Sequence, residues 1–490
     1  MMPGKRYVNV TSVVEGWPST KFVYLCGVGK DMMRTFQFLY SALVAILWLF
    51  VGSGEGIAQQ DSMAAVRQWT MAECVAQAKK HSLDAAEAEL TYRSAKAQLN
   101  SAWWTLSPTF SAGASYDLNF GRAIDYGSNT VSNDLQSFNL NVSANLSLFE
   151  GLARIHEIKR SQLGLQAAEA QQLAAEQMLT LRVVQAFLDL LYQQDLIAAR
   201  RYQVEALEKQ VQLAKTRQAA GQVTMGDVLD MHSQLTTEQQ ALLEAQNGAR
   251  AANVVLMQLM NYHEGDSIQV VAPYSVDGDV PLLPAYTTDG LFEEAARDYP
   301  TLRAARLSYQ QAERGVRIAQ AGYMPSLSLN AGYGTGARKF LQENQHMPSD
   351  SYSDQLKNNS SVYVGLSLRI PIFDGLATHG RVQQARISAM KSDVATQRAS
   401  QELYNLVQRS WNDAQSAYKQ YQSAKSNVEA LRLAAQWAEK KRELGAISSY
   451  EYTQTRSKLS VAETTLLQSR FVYMLKLLVL DIYRGAPIEL

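Results

Sequence analysis

The residues with most scope for chemistry are carboxylates that follow two glycines. Asp227 and Asp230 come shortly after Gly221, and Glu451 comes shortly after Gly445. Acids beside a turn attract cations. Asp227 equally suits the first turn of a following helix, where an acid satisfies free N–H groups and meets the positive end of the helix dipole. Catalysis has less support. The six histidines, at 81, 156, 232, 263, 346 and 379, are scattered, and none stands four residues from another as a helical zinc pair requires. The glycine-rich run from Gly332 to Gly336 lacks a following Lys and ends an alternating strand, so it reads as a turn and not as a phosphate loop. No catalytic residue, metal or cofactor is assigned, and the chain is read as a non-enzyme.

Long helices position those acids. From Leu152 to Ala220 and from Leu376 to Leu444 there is no proline, and each run would reach about 100 Å as a helix. Val183, Phe187, Leu190, Ile197, Val204, Leu207, Val211 and Ala214 follow a heptad seam. So do Tyr404, Val407, Trp411, Ala414, Tyr418, Tyr421, Val428, Leu431, Ala435 and Ala438, which predicts coiled-coil-like packing. Each run ends at a glycine that can take the left-handed conformation, in the turns Gly221, Gln222, Val223 and Gly445, Ala446, Ile447. Further helices are expected over 227–261 and 449–483, and shorter ones over 71–105 and 289–323.

Between the short and long helices the hydrophobic period changes to two. Residues 138–148 place every apolar side chain at an even position, and Val362, Val364, Leu366, Leu368, Ile370 and Ile372 do the same. Phe110 to Phe120 and Leu327 to Tyr333 also alternate. Four strands of about 7 to 12 residues result, close to the length of a tilted membrane strand. They are read as two isolated hairpins, 107–149 and 325–373, with polar loops at 121–135 and 334–360. Alternation alone also fits a soluble sheet. Four strands cannot close a barrel in a bilayer, where a free edge is prohibitive, so a membrane role requires several chains to share one barrel.

The same order of segments occurs twice. Leu148 to Leu152 matches Ile372 to Leu376, and Gly221 matches Gly445, both at a shift of 224 residues, a multiple of seven that keeps heptad phase. A first repeat is placed at 59–275 and a second at 276–490. Before them, Phe38 to Val51 is an apolar run with Lys30 and Arg34 ahead of it and small residues behind it, the anatomy of a signal peptide. The leader is assigned to 1–58 with cleavage after Ala58, and Met32 or Met33 would make a conventional start. Removing it takes Cys26 and leaves Cys74 as the one cysteine, so no internal disulfide forms. Lys plus Arg and Asp plus Glu both number 46, and no basic run suits nucleic acid.

A duplicated helix, hairpin, long helix, turn and helix behind a signal peptide resembles the TolC-like outer-membrane factor family. The matching motifs are Pro108 and Pro325 before the strands, Phe149-Glu150-Gly151 and Phe373-Asp374-Gly375 at the strand-to-helix junctions, and the two glycine turns with their acids. The resemblance implies a mainly α protein with a membrane β-barrel contribution. A homotrimer would share a 12-stranded barrel, four strands from each protomer, above an α-barrel tunnel of long coiled-coil-like helices. It implies a passive conduit in the outer membrane of a Gram-negative bacterium, with helices in the periplasm. A periplasmic adaptor and an inner-membrane pump would be its partners. Asp227, Asp230 and Glu451 would then form acidic rings at the tunnel mouth that favour cations, and Gly221, Gln222, Val223, Gly445, Ala446 and Ile447 would meet the adaptor.

Two positions depart from the family pattern. Ile447 stands where a basic residue often offers a latch, for which Arg442 or Lys441 would have to substitute, and Gln454 stands where another acid would fit. Trp103 and Trp104 suit either a membrane interface or packing between helices. The rival reading is an exported trimeric coiled-coil scaffold or adhesin, which explains the heptads but not two apolar hairpins of membrane length.

Overall fold

A computed structural model of the chain describes residues 68–125, 130–263, 268–271, 280–284, 286–340 and 351–485. The leader expected over 1–58 lies outside the described residues, as does His346. The order begins with β1 (Gln68–Trp69), α1 (Met71–His81), α2 (Leu83–Trp104), β2 (Thr109–Asp125), β3 (Thr130–Glu150), α3 (Ala153–Ala219) and α4 (Met225–Met260). It continues with β4 (Gln269–Val270), α5 (Thr288–Asp298), α6 (Pro300–Ala321), β5 (Ser326–Phe340), α7 (Tyr352–Asn358), β6 (Ser361–Arg369), α8 (Ala377–Glu443) and α9 (Ser449–Arg484).

Both short helices expected as single elements are broken in two, each for a local reason. Ser82 takes an extended backbone (ψ 142°) and its side chain accepts the Asp84 N–H, so it ends α1 and caps α2. Pro300 opens α6, and the ring of a proline drives the preceding residue, Tyr299, out of the helical region (ψ 114°). The long helices α3 and α8 have 67 residues each.

The strands outrun the expected hairpins. β2 has 17 residues, β3 21, β5 15 and β6 9, so polar residues assigned to the loops 121–135 and 334–360 belong partly to strands, and the second loop also holds α7. Nor are the hairpins isolated. β3 pairs antiparallel with β5 from Leu135 opposite Phe340 to Glu150 opposite Ser326, which joins all four strands into one sheet of order β2-β3-β5-β6.

The helices beneath the sheet follow the same order. α2 packs on α3, α3 on α6, and α6 on α8, so each strand continues the helix it is joined to without crossing a neighbour. Lower down, α3 pairs with α4 and α8 with α9. The largest core forms where these layers meet. Leu179, Val183, Phe187 and Leu190 of α3 pack with Leu256 and Met260 of α4 and with Cys74 of α1, all but inaccessible to solvent. A second cluster joins Leu291 and Leu302 to Leu403, Val407 and Trp411 of α8. The heptad residues thus lie mostly inward, the expected use of an apolar seam. One feature was not anticipated: β1 and β4 form a short parallel pair, Trp69 beside Val270, that ties the start of the helical body to the connection between its halves.

Candidate functional site

Two regions carry functional geometry, the helix-turn-helix tips and the apolar face of the sheet. At the first tip, Gly221 ends α3 with φ +68° and Thr224 caps α4. The Asp227 N–H donates to Thr224 Oγ1 at 3.2 Å, while Asp227 Oδ2 accepts the Thr224 N–H at 3.0 Å and the Thr224 hydroxyl at 2.8 Å. This reciprocal pair is a capping box. The second tip repeats it: Gly445 has φ +69°, the Glu451 N–H donates to Ser448 Oγ at 3.2 Å, and Glu451 Oε2 accepts the Ser448 N–H at 3.4 Å. Asp227 and Glu451 both therefore cap helices.

α4 and α9 face each other across a groove of about 420 Å³ whose walls include Asp227, Asp230, Tyr450, Gln454 and Lys458. The first-tip acids thus share a groove with a lysine of α9, and Glu451 is not among its lining residues. Val223 and Ile447 are half-buried, not fully exposed. Each precedes a cap residue, the position of a hydrophobic staple, and the matching positions four residues into α4 and α9, Val228 and Tyr452, are buried. The exposed apolar residues at the tips are instead Met225, Leu229, Leu444 and Tyr450. Arg442 lies with its guanidinium carbon 4.2 Å from the centre of the Tyr452 ring, a contact between α8 and α9 just above the second turn.

In the sheet, register sorts the side chains cleanly. Phe110, Ala112, Ala114 and Tyr116 of β2 stand opposite Ala144, Val142, Leu140 and Phe138 of β3. Those in turn oppose Ala331, Tyr333, Thr335 and Ala337 of β5. Beyond them Val362 and Val364 of β6 oppose Tyr333 and Ala331. One continuous face is apolar. The other carries Ser111 hydrogen-bonded to Ser143 at 2.7 Å, Asn145 bonded to Asn330, and a run of glycines in β5. The apolar face is left open to solvent in the single chain, with Val362 75% and Val364 71% exposed. Aromatic residues bracket it, Tyr116 and Phe120 toward one end and Phe110, Phe149 and Phe373 toward the other. Trp103 and Trp104 are exposed at that second end. From Phe138 to Phe149 a strand rises about 36 Å, which a tilt of about 45° reduces to about 25 Å, the height of an outer-membrane apolar band.

At the junctions with the long helices, consecutive left-handed residues turn strand into helix: Gly151 and Leu152 (φ +59° and +66°), and Gly375 and Leu376 (both +65°). A Cβ at Gly151 would stand 2.6 Å from Met324 Cβ, so the first turn admits only glycine.

A family model described as outer membrane efflux protein matches residues 75–262 and 291–473. The chain belongs to the outer membrane efflux protein family. Among curated relatives, outer membrane protein TolC of Escherichia coli is 26% identical over 324 residues, which cover 64% of this chain and 64% of TolC. Protein CyaE of Bordetella pertussis is 26% identical over 69% of this chain and 67% of its own length. The chain thus spans about two thirds, or slightly less, of the length of these relatives. Among solved structures, CusC superposes with a TM-score of 0.72 at 17% identity, covering 89% of this chain and all of CusC. The outer membrane protein VceC of Vibrio cholerae gives 0.69 at 19% identity, covering 86% of this chain and 97% of its own. The fold is that of this family's outer-membrane channels, and the chain is an outer-membrane protein. Among the described residues no helix is long and apolar enough to cross a membrane.

Proposed function

We propose that the chain is one subunit of an outer-membrane export channel, a passive conduit in a tripartite efflux or type I secretion system. The observation that carries this reading is the four-stranded sheet with one apolar face and two free edges, β2 and β6. A sheet with edges is not stable in hydrocarbon, because each unpaired backbone group there costs several kcal/mol. Three copies joined edge to edge give a closed 12-stranded barrel, the even strand number usual in such membranes. The helices continue from it as an α-barrel, and the chain is a tandem repeat with halves at 59–275 and 276–490.

A periplasmic adaptor and an inner-membrane pump would supply energy and cargo. The relatives' names favour this: one, from Pseudomonas aeruginosa, is an alkaline protease secretion protein, and another is a pyoverdine export outer membrane protein. The turns at Gly221, Gln222, Val223 and Gly445, Ala446, Ile447 would receive the adaptor. Asp227, Asp230 and Glu451 would ring the tunnel mouth, since capping does not remove their charge.

Single-channel conductance of the detergent-purified mature protein in planar bilayers tests the reading, with Asp227→Ala/Glu451→Ala run beside it. Discrete steps are expected, with cation preference reduced in the variant. Steps unchanged by the substitutions would keep the channel and remove the acidic mouth. No steps from a folded trimer would favour the coiled-coil scaffold or adhesin.

A further inference from the structure

We propose that α7 is a seam element of the barrel, fixed on one side to β5 and docking on the other against the β2 edge of a second copy of this chain. The inference rests on the shared-barrel reading above. It starts from a mismatch of strand lengths. β6 pairs with β5 only as far as Ser361 opposite Gly334, whereas β5 runs on beside β3 to Phe340.

The β5 edge beyond Gly334 is taken by α7. Gln355 Nε2 donates to the Arg338 carbonyl at 3.0 Å while Gln355 Oε1 accepts the Arg338 N–H at 2.8 Å, so one side-chain amide reproduces both bonds of a β-bridge. Asn359 Nδ2 donates to the Gly336 carbonyl at 2.8 Å, and Thr335 Oγ1 donates to the Leu356 carbonyl. Ala337, between these contacts, is fully buried. A helix this short, tied at four points to one strand edge, stands where the continuation of β6 would otherwise run.

The opposite edge of the sheet has the complementary need. β2 has 17 residues, so pairing with the 9 residues of a second copy's β6 leaves about half of it without a strand partner. Free N–H and C=O groups at a membrane rim require partners. α7 directs Ser353, Asp354, Lys357 and Asn358 to solvent, away from β5. These carry donors and acceptors like those that Gln355 and Asn359 use on β5. Charge also matches. Asp117 of β2 is exposed and lies on the rung Asp117, Ser137, Arg338, the rung that Gln355 holds, and Lys357 brings the opposite sign.

Cysteine cross-linking of the full chain, purified from outer membranes and oxidised with copper phenanthroline, tests the seam. Lys357→Cys is combined with Asp117→Cys in one variant and with Leu118→Cys in another, so that both faces of β2 are sampled. Covalent dimers and trimers are expected from at least one pair and from none of the three single substitutions. Intact native trimers without covalent product would overturn the seam and leave the shared barrel standing, whereas a chain that is monomeric throughout would overturn both. Gln355→Leu supplies an independent readout. It is expected to lower the temperature at which trimers dissociate in detergent, and an unchanged temperature would count against α7.

Discussion

The guanidinium of Arg442 lies over the ring of Tyr452, 4.2 Å from its centre, and Tyr452 is itself buried. α8 and α9 are thus clamped one turn above Gly445 by a cation on an aromatic face. A substitute role of Arg442 for the basic residue missing at position 447 would act through this stacking contact. A desolvated contact of this kind contributes about 2 kcal/mol, so Arg442→Ala should loosen the second tip. Single-channel recordings are expected to show larger or more frequent openings, with Arg442→Lys intermediate. Conductance identical to the parent protein would deny the contact a role in closure.

Cap and charge can be separated at the first tip. Thr224→Ala removes the hydroxyl that bonds Asp227 and should cost about 1 kcal/mol, fraying the start of α4. Limited proteolysis near the turn should accelerate while cation preference is kept. Asp227→Asn retains a side-chain oxygen for the Thr224 N–H and abolishes the charge. Proteolysis should then stay slow while reversal potentials shift toward zero.

The register assigns opposite fates to neighbours in β6. Val364 belongs to the apolar face and Tyr363 to the polar one. Val364→Lys should cost about 2 to 4 kcal/mol at mid-bilayer and sharply reduce the outer-membrane trimer. Tyr363→Lys should assemble normally. Equal yields from both would mean that this face does not meet lipid.

Gly332 lies beneath Tyr363 so closely that an added Cβ would stand 2.5 Å from the ring. Gly332→Ala is expected to impair assembly, since the collision forces the aromatic ring aside, a change that typically costs about 1 to 3 kcal/mol. Adding Tyr363→Ala should restore much of the yield. Failure of the second change to rescue would show that glycine is required there for another reason.

Burial pushes the Asp195 carboxyl above the ordinary range, and the nearby Arg470 offsets this only in part. Because the folded pKa exceeds the unfolded one, the protonated form favours folding. That stability is present below the unfolded value, near 3.9, and is lost as pH rises through the folded value. Asp195→Asn should therefore raise the thermal transition by about a degree at neutral pH, with the gain vanishing at low pH. A lower transition at neutral pH would mean that attraction to Arg470 outweighs burial.

A mainly helical chain with interposed strands was legible because both signals are periodic. The heptad seam through Val183, Val407 and Trp411 and the alternation from Phe138 to Leu148 are imposed by packing at every step. The breaks at Ser82 and Tyr299 were missed because apolar periodicity runs across them, and only the local choices of a cap and a proline interrupt the backbone. Strand ends were missed because rim residues such as Arg338 and Lys339 are polar on purely solvent grounds, yet their backbones still pair. The pairing of β3 with β5 joins residues nearly two hundred positions apart, which no local pattern encodes. At the tips, the glycine turns and their acids were visible. That Val223 and Ile447 turn partly inward depends on the helices behind them.

Burial of Cys74 in the α1–α3 core has a practical corollary. Its thiol is fully covered and pushed up to about 12, so almost none is thiolate at neutral pH. Maleimide dyes and spin labels should pass it by in the folded protein. A chain that begins after residue 58 has Cys74 as its one cysteine, and would therefore serve as its own unreactive background for site-directed spectroscopy, with no need to replace a core residue first.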